Sequence, residues 1–118
     1  MSAMGLGPGD HKIGDIDVTV TEKDARITGT DTLAGAILSL DGCVRNFHQF
    51  TDCSLADALE AASTRPAELL KLESKGHLNF GADADFILLD RSLKVRATYI
   101  AGEKAFEDWS DIEQIKET

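Results

Sequence analysis

Hydrolysis at a metal centre needs converging His, Asp, Glu or Cys ligands, and this 118-residue chain offers three histidines: His11, His48 and His77. Their spacing gives no local ligand signature, since none forms a His-x-His pair or belongs to a His-Glu-x-x-His helix. His48 is expected on the solvent side of a helix, and His77 in a turn before Leu78. Asp83, Asp85 and Asp90 lie closer together. Such carboxylates can move a proton or bind Ca²⁺. At the ends of a strand they more commonly cap turns, and that is the expected role here. A Ser-His-Asp triad is assembled in space and stays open on sequence alone, but no Gly-x-Ser-x-Gly elbow supports one. Cys43 and Cys53 form no Cys-x-x-Cys motif and are too few for a disulfide framework, as expected of reduced thiols in a cytoplasmic protein. The sequence therefore nominates no catalytic residue and no metal ligand within the chain.

The stretch Thr32-Leu33-Ala34-Gly35 is a candidate for binding rather than catalysis. It precedes an apolar-periodic segment and reads as a helix entry, where the first N–H groups lack intrahelical partners. Small residues there would let a polar or anionic ligand approach the backbone. A plain helix start capped by Thr30 or Thr32 explains the same residues. The glycine-rich Gly5–Asp10 segment reads as a loop, because a phosphate-binding loop would need a strand before it and Gly-Lys-Ser/Thr within it.

Composition sets the frame for these residues. The chain is 42% hydrophobic and 28% charged, an ordinary globular balance large enough for one domain or part of one. Its net charge of −9, without a Lys/Arg run, argues against nucleic acid and against anionic membrane surfaces as partners. No stretch approaches the roughly 18 apolar residues that a spanning helix requires.

Alternation of Ile16, Val18 and Val20, then Ala25 and Ile27, predicts a hairpin over 15–28. Ile37, Leu40, Val44 and Phe47 carry the helical stripe of a segment beginning near Ala36. Ser54 and Asp57 resemble a capping box opening a helix over 55–63, and Thr64 with Pro66 opens a third, short helix. Phe86-Ile87-Leu88-Leu89 reads as a strand buried on both faces, and Val95–Tyr99 as its neighbour. A turn at Ala101-Gly102-Glu103 leads to a return strand, and the acidic tail from Glu107 to Thr118 reads as a frayed helix or as disordered. The helices have apolar faces but no sheet large enough to cover them.

The segment Gly76-His77-Leu78-Asn79-Phe80-Gly81-Ala82-Asp83-Ala84-Asp85, followed by Phe86–Leu89 and Asp90, is similar to the closing segment of amidohydrolase-superfamily enzymes. Ser54-Leu55, Ala58-Leu59, Ala62-Ser63 and Pro66-Ala67 resemble the helix pair that precedes it there. Ala3–Gly7, Gly29–Ile37 and Cys43–Phe47 narrow the likeness to the N-acetylglucosamine-6-phosphate deacetylases, over about residues 3–106.

That resemblance implies an α/β fold: the C-terminal part of a (β/α)8 barrel with its last helices (residues 1–75), closing strands of a small β-sandwich (76–106) and an acidic tail (107–118). It implies removal of acetate from an amino-sugar phosphate by a larger parent using a divalent metal ion (Zn, Co or Mn). The catalytic Asp of the family, in a Thr/Ser-Asp-Ala motif, would lie just before Ser2, and the metal-binding His and Glu further upstream. The chain alone is therefore expected to be inactive and metal-free. Leu33, Ala34 and Gly35 match the family's substrate-contacting stretch, which commonly has Ser at the position of Ala34. Uncovered apolar helix faces predict a homo-oligomer or a loosely packed monomer. A dihydroorotase-like amidohydrolase and a non-catalytic α+β interaction module are the alternatives.

Overall fold

The computed structural model describes residues 3–113. The chain divides into two compact units, Met1–Ser39 and Leu40–Thr118.

The first unit is an antiparallel meander of four strands in the order β1-β2-β3-β4. β2 (Ile16–Val20) and β3 (Ala25–Ile27) form the hairpin expected from alternation, with Val18 opposite Ile27 and Val20 opposite Ala25. Two strands depart from the sequence reading. Part of the glycine-rich loop and the residues after it form β1 (Gly9–Ile13), which pairs with β2. Leu33–Gly35 is not a helix entry but β4, placed opposite Ala25 and Arg26 of β3. Val18, Val20, Ala25 and Ala3 form the core, with Ile13, Ala34 and Ile37 packed against it. Period two explains the result: each strand turns alternate side chains to this core and gives the others to solvent.

Among the described residues, the second unit holds four helices and a three-stranded sheet. α1 runs over Leu40–Thr51, starting four residues later than the stripe suggested, and Ile37 lies in the first unit instead. α2 (Leu55–Ala62) opens as expected: the Ser54 hydroxyl oxygen accepts from the Asp57 N–H at 3.1 Å and its hydroxyl donates to the Asp57 carboxylate. This satisfies an N–H that the helix cannot satisfy itself. α3 (Thr64–Leu69) carries Pro66 within its first turn. Val44, Ala58 and Ala67 are the buried apolar side chains of the three helices.

Strands β5 (Phe86–Leu89), β6 (Val95–Ile100) and β7 (Glu103–Glu107) pair antiparallel in chain order. Phe86 and Tyr99 face each other across β5 and β6 with rings stacked at 4.5 Å. Positive φ at both Ala101 and Gly102 gives the β6–β7 turn the twist that two-residue hairpins favour. β5 is not buried on both faces as its apolar run suggested, because Ile87 and Leu88 are 47% and 41% exposed. The short helix α4 (Ser110–Glu113) follows β7.

Candidate functional site

Leu33, Ala34 and Gly35 sit on β4, and the strand's alternation separates their roles. Ala34 turns inward against Val18, Val20 and Ala25, whereas Leu33 is 60% exposed. A side-chain contact from this stretch therefore belongs to Leu33. A hydroxyl at position 34 would start from the core side, so alanine there suits the packing.

A shallow cleft of about 330 Å³ lies on the same unit, lined by Thr19, Thr21, Arg26, Ile27, Thr30 and Asp31 among others. Sequence reading gave no sign of it. The available signal was hydroxyls two apart on β2 and beyond it, with Arg26 the cross-strand partner of Thr19. Thr19 and Arg26 on its wall are engaged within the sheet. The Thr19 hydroxyl donates to Asp10, and Arg26 pairs with Asp24 at 2.8 Å and donates to the Asp31 carbonyl at 2.7 Å. The Arg26 bond, first among the causes, holds the Asp24 carboxyl below its usual value.

Each histidine is engaged locally. His11 Nε2 meets the Gly7 carbonyl at 2.7 Å, His48 Nδ1 the Cys53 carbonyl at 2.7 Å, and His77 Nε2 the Glu73 carbonyl at 3.1 Å. Each ring thus closes a local turn. His48, expected on a solvent face, is half-buried and ties the end of α1 to the segment that leads into α2. His77 also accepts the Asn79 N–H at Nδ1, so its two nitrogens play opposite roles and select the Nε2–H tautomer. Among the described residues no group of three or more His, Cys, Asp or Glu could hold a metal ion.

The aspartates act as turn caps. Asp83 accepts from Ser74 Oγ at 3.0 Å and from Lys75 Nζ at 2.9 Å, and Lys75 also pairs with Asp85. Asp85 accepts the Ala101 N–H at 2.7 Å, which holds the β6–β7 turn against the entry to β5. Both carboxyls are lowered, foremost by the bond to Lys75. Asp85 has both oxygens engaged, Oδ1 by the Ala101 N–H and Oδ2 by Lys75, and both contacts of Asp83 fall on its Oδ2.

Asp90 organises the β5–β6 connection. Its Oδ1 accepts from Ser92 N–H, Ser92 Oγ and Lys94 N–H at 2.8, 2.7 and 3.0 Å, while Oδ2 accepts from Arg96 Nε at 2.8 Å. These bonds, led by the Ser92 hydroxyl and the Lys94 amide and opposed by desolvation, hold its carboxyl far below the ordinary range. A depressed folded-state pKa contributes stability that is present above the unfolded value, about 3.9, and is lost as pH falls through the folded value. Asp90→Asn should therefore lower the urea midpoint at pH 7, and the gap to the unmodified chain should narrow below about pH 4. A gap that is constant with pH would show that the Asp90 charge is not linked to folding.

Comparison with known proteins places these elements. A family model described as the amidohydrolase family matches residues 13–111. The N-acetylglucosamine-6-phosphate deacetylase of Bos taurus is 56% identical over 106 residues, which are 89% of this chain and 26% of that protein. The Caenorhabditis elegans deacetylase is 36% identical over 107 residues, 90% of this chain and again 26% of the relative. Among solved structures, the Thermotoga maritima deacetylase superposes with a TM-score of 0.77 at 35% identity, over 92% of this chain and 30% of that one. A Mycobacterium smegmatis deacetylase mutant, solved in complex with N-acetyl-D-glucosamine-6-phosphate, superposes with a TM-score of 0.73 at 36% identity, over 88% and 28%. The chain spans about a quarter of the length of the curated relatives that it matches, 26% for both named above. With the family model covering both the β-meander and the helix–sheet unit, the chain belongs to the amidohydrolase family.

Proposed function

We propose that this chain is the C-terminal part of an N-acetylglucosamine-6-phosphate deacetylase, and that the complete protein adds water across the amide of N-acetylglucosamine 6-phosphate to give glucosamine 6-phosphate and acetate. The observation that carries this reading is the 56% identity to a named deacetylase across 89% of the chain. In this reading residues 1–75 complete the end of a (β/α)8 barrel, residues 76–106 contribute strands of the small β-sandwich, and 107–118 form a tail.

The described residues do not fit a catalytic metal site, since none of their His, Cys, Asp and Glu side chains gather in threes. In this reading the divalent ion, Zn, Co or Mn, and the groups that activate water are supplied by the remainder of the complete protein. What this segment offers is binding. Leu33 projects from β4 as an apolar wall that would flank the sugar ring, and the inward-facing Ala34 fixes its position.

The test is acetate release from N-acetylglucosamine 6-phosphate, with Zn²⁺, Co²⁺ or Mn²⁺ supplied, measured for the chain and for the complete protein. Release by the complete protein alone is expected. Release by the chain alone would place the chemistry on residues 1–118. Release by neither would favour a dihydroorotase-like enzyme or a non-catalytic module.

A further inference from the structure

We propose that residues 109–113 form a strap fastened to the sheet by charge, with Arg96 as its keeper. Arg96, on β6, is 5% exposed. One edge of its guanidinium is committed to Asp90, with Nε at 2.8 Å and Nη2 at 2.7 Å from Oδ2. The other edge reaches α4, where Nη1 donates to Asp111 Oδ1 at 2.8 Å. The second oxygen of Asp111 is taken by Lys94 Nζ at 2.6 Å. Both carboxylate oxygens of one residue on α4 are thus held by two cations two positions apart, one at the entrance to β6 and one within it.

The other polar contacts of the described side chains in and beside this segment are short-range or belong to the sheet. The Asp108 N–H donates to the Arg96 carbonyl at 2.8 Å, which prolongs the β6–β7 ladder by one bond and leaves Asp108 part of the sheet. The Ser110 N–H and hydroxyl bond back to Asp108, so they shape the turn without reaching β6. Trp109 is 36% exposed and its indole N–H donates to Glu107, while Ser110 and Asp111 are exposed. Ser110 and Asp111 are polar and exposed, so apolar transfer from these two residues contributes little, and Trp109 supplies the apolar contact among the strap's described side chains. Arg96 and Asp90 hold each other whether or not Asp111 is present. The strap is therefore a separable unit: it opens from the Asp111 contact while β5, β6 and β7 keep their ladder. On opening, it releases Arg96 Nη1 from Asp111, while that nitrogen keeps its longer contact to the Asp108 carbonyl at 3.5 Å.

Backbone ¹⁵N relaxation on the whole chain tests this. In Asp111→Ala, order parameters over 109–113 should fall from about 0.85 to below about 0.6, with β5–β7 unchanged. Lys94→Met removes only the exposed half of the clasp. It should give a smaller fall over the same residues, and about 1 M salt should do likewise in the unmodified chain, because exposed pairs are screened more than sheltered ones. A strap that stays rigid in Asp111→Ala, or one that loosens only together with the sheet, overturns the proposal. Either result would mean that the segment is fixed by packing and not by the Arg96–Asp111–Lys94 contacts.

Discussion

Gly76→Ala is expected to destabilise the second unit by about 2–4 kcal/mol, the sum of a left-handed-backbone penalty of about 1 kcal/mol and an overpacking cost of about 1–3 kcal/mol. Gly76 has φ +81°, and a Cβ built there would lie 2.6 Å from Ala67 Cβ and 2.8 Å from the Ser63 carbonyl oxygen. Neither neighbour can yield easily. Ala67 is buried on α3, and Ser63 is backbone at the junction between α2 and α3. The Thr64 hydroxyl donates to the Gly76 carbonyl at 2.7 Å and fixes the approach from the other side. Gly102→Ala supplies the control. Its φ is also +81°, but the nearest atom to the added Cβ is Ala84 Cβ at an ordinary 3.7 Å. Only the backbone penalty of about 1 kcal/mol then applies. Urea unfolding of both variants decides the matter: equal losses would mean that the close contact at Gly76 relaxes at no cost.

The contrast between these glycines also shows what sequence can and cannot reveal. Gly102 follows Ala101 at a turn between two alternating segments, and a hairpin there is legible without coordinates. Gly76 sits in a run, Glu73-Ser74-Lys75-Gly76-His77, that announces a loop but not that α3 closes over it. The close approach depends on Ser63 and Ala67, which are distant in sequence.

The same division runs through the fold. β2, β3, α2, β5 and β6 were legible because their signals are local: alternation, a Ser-x-x-Asp cap, a short apolar run. β1 was not, because Gly-Asp-His-Lys-Ile is polar on both sides and becomes a strand only by pairing with β2. β4 misled more sharply. Leu-Ala-Gly after a threonine has the composition of a helix start, and its three residues are too few to show a period. Its strand geometry comes from pairing with Ala25 and Arg26 and from the inward packing of Ala34. Tertiary pairing overrode local propensity.

For chemistry, the reading of Asp83, Asp85 and Asp90 as turn caps needed only their position at strand ends. The anchoring of Asp90 on Arg96 did not follow from it. That pairing spans a connection whose Leu93 adopts φ +60°, a conformation unusual for leucine, with the Leu93 carbonyl held by Arg45 Nη1 of α1 at 2.7 Å. A left-handed leucine fixed by a helix residue 48 positions away has no local sequence signature.

The strand assignment of Leu33 and Ala34 leads to opposite outcomes for adjacent substitutions, and these separate fold from function. Ala34→Asp would place a carboxylate against Val18, Val20 and Ala25, where no partner is available in that apolar cluster. The cost of an uncompensated polar group, about 1–3 kcal/mol and more for a charge, is large for a unit whose core is four small or medium side chains. Its strand amides should lose their exchange protection. Leu33→Asp falls on a position that is 60% exposed, and exposed substitutions usually change stability by less than about 0.5 kcal/mol. The meander should keep its protection. If Leu33 flanks the sugar phosphate in the complete deacetylase, the same substitution removes an apolar wall and sets a negative charge near an anionic substrate. KM should then rise roughly tenfold, equivalent to about 1.4 kcal/mol of lost binding, with kcat changing much less. The two measurements fail independently. Equal loss of exchange protection in both variants would refute the inward–outward alternation of β4. An intact meander with an unchanged KM in Leu33→Asp would leave β4 as a structural strand and remove Leu33 from the substrate wall.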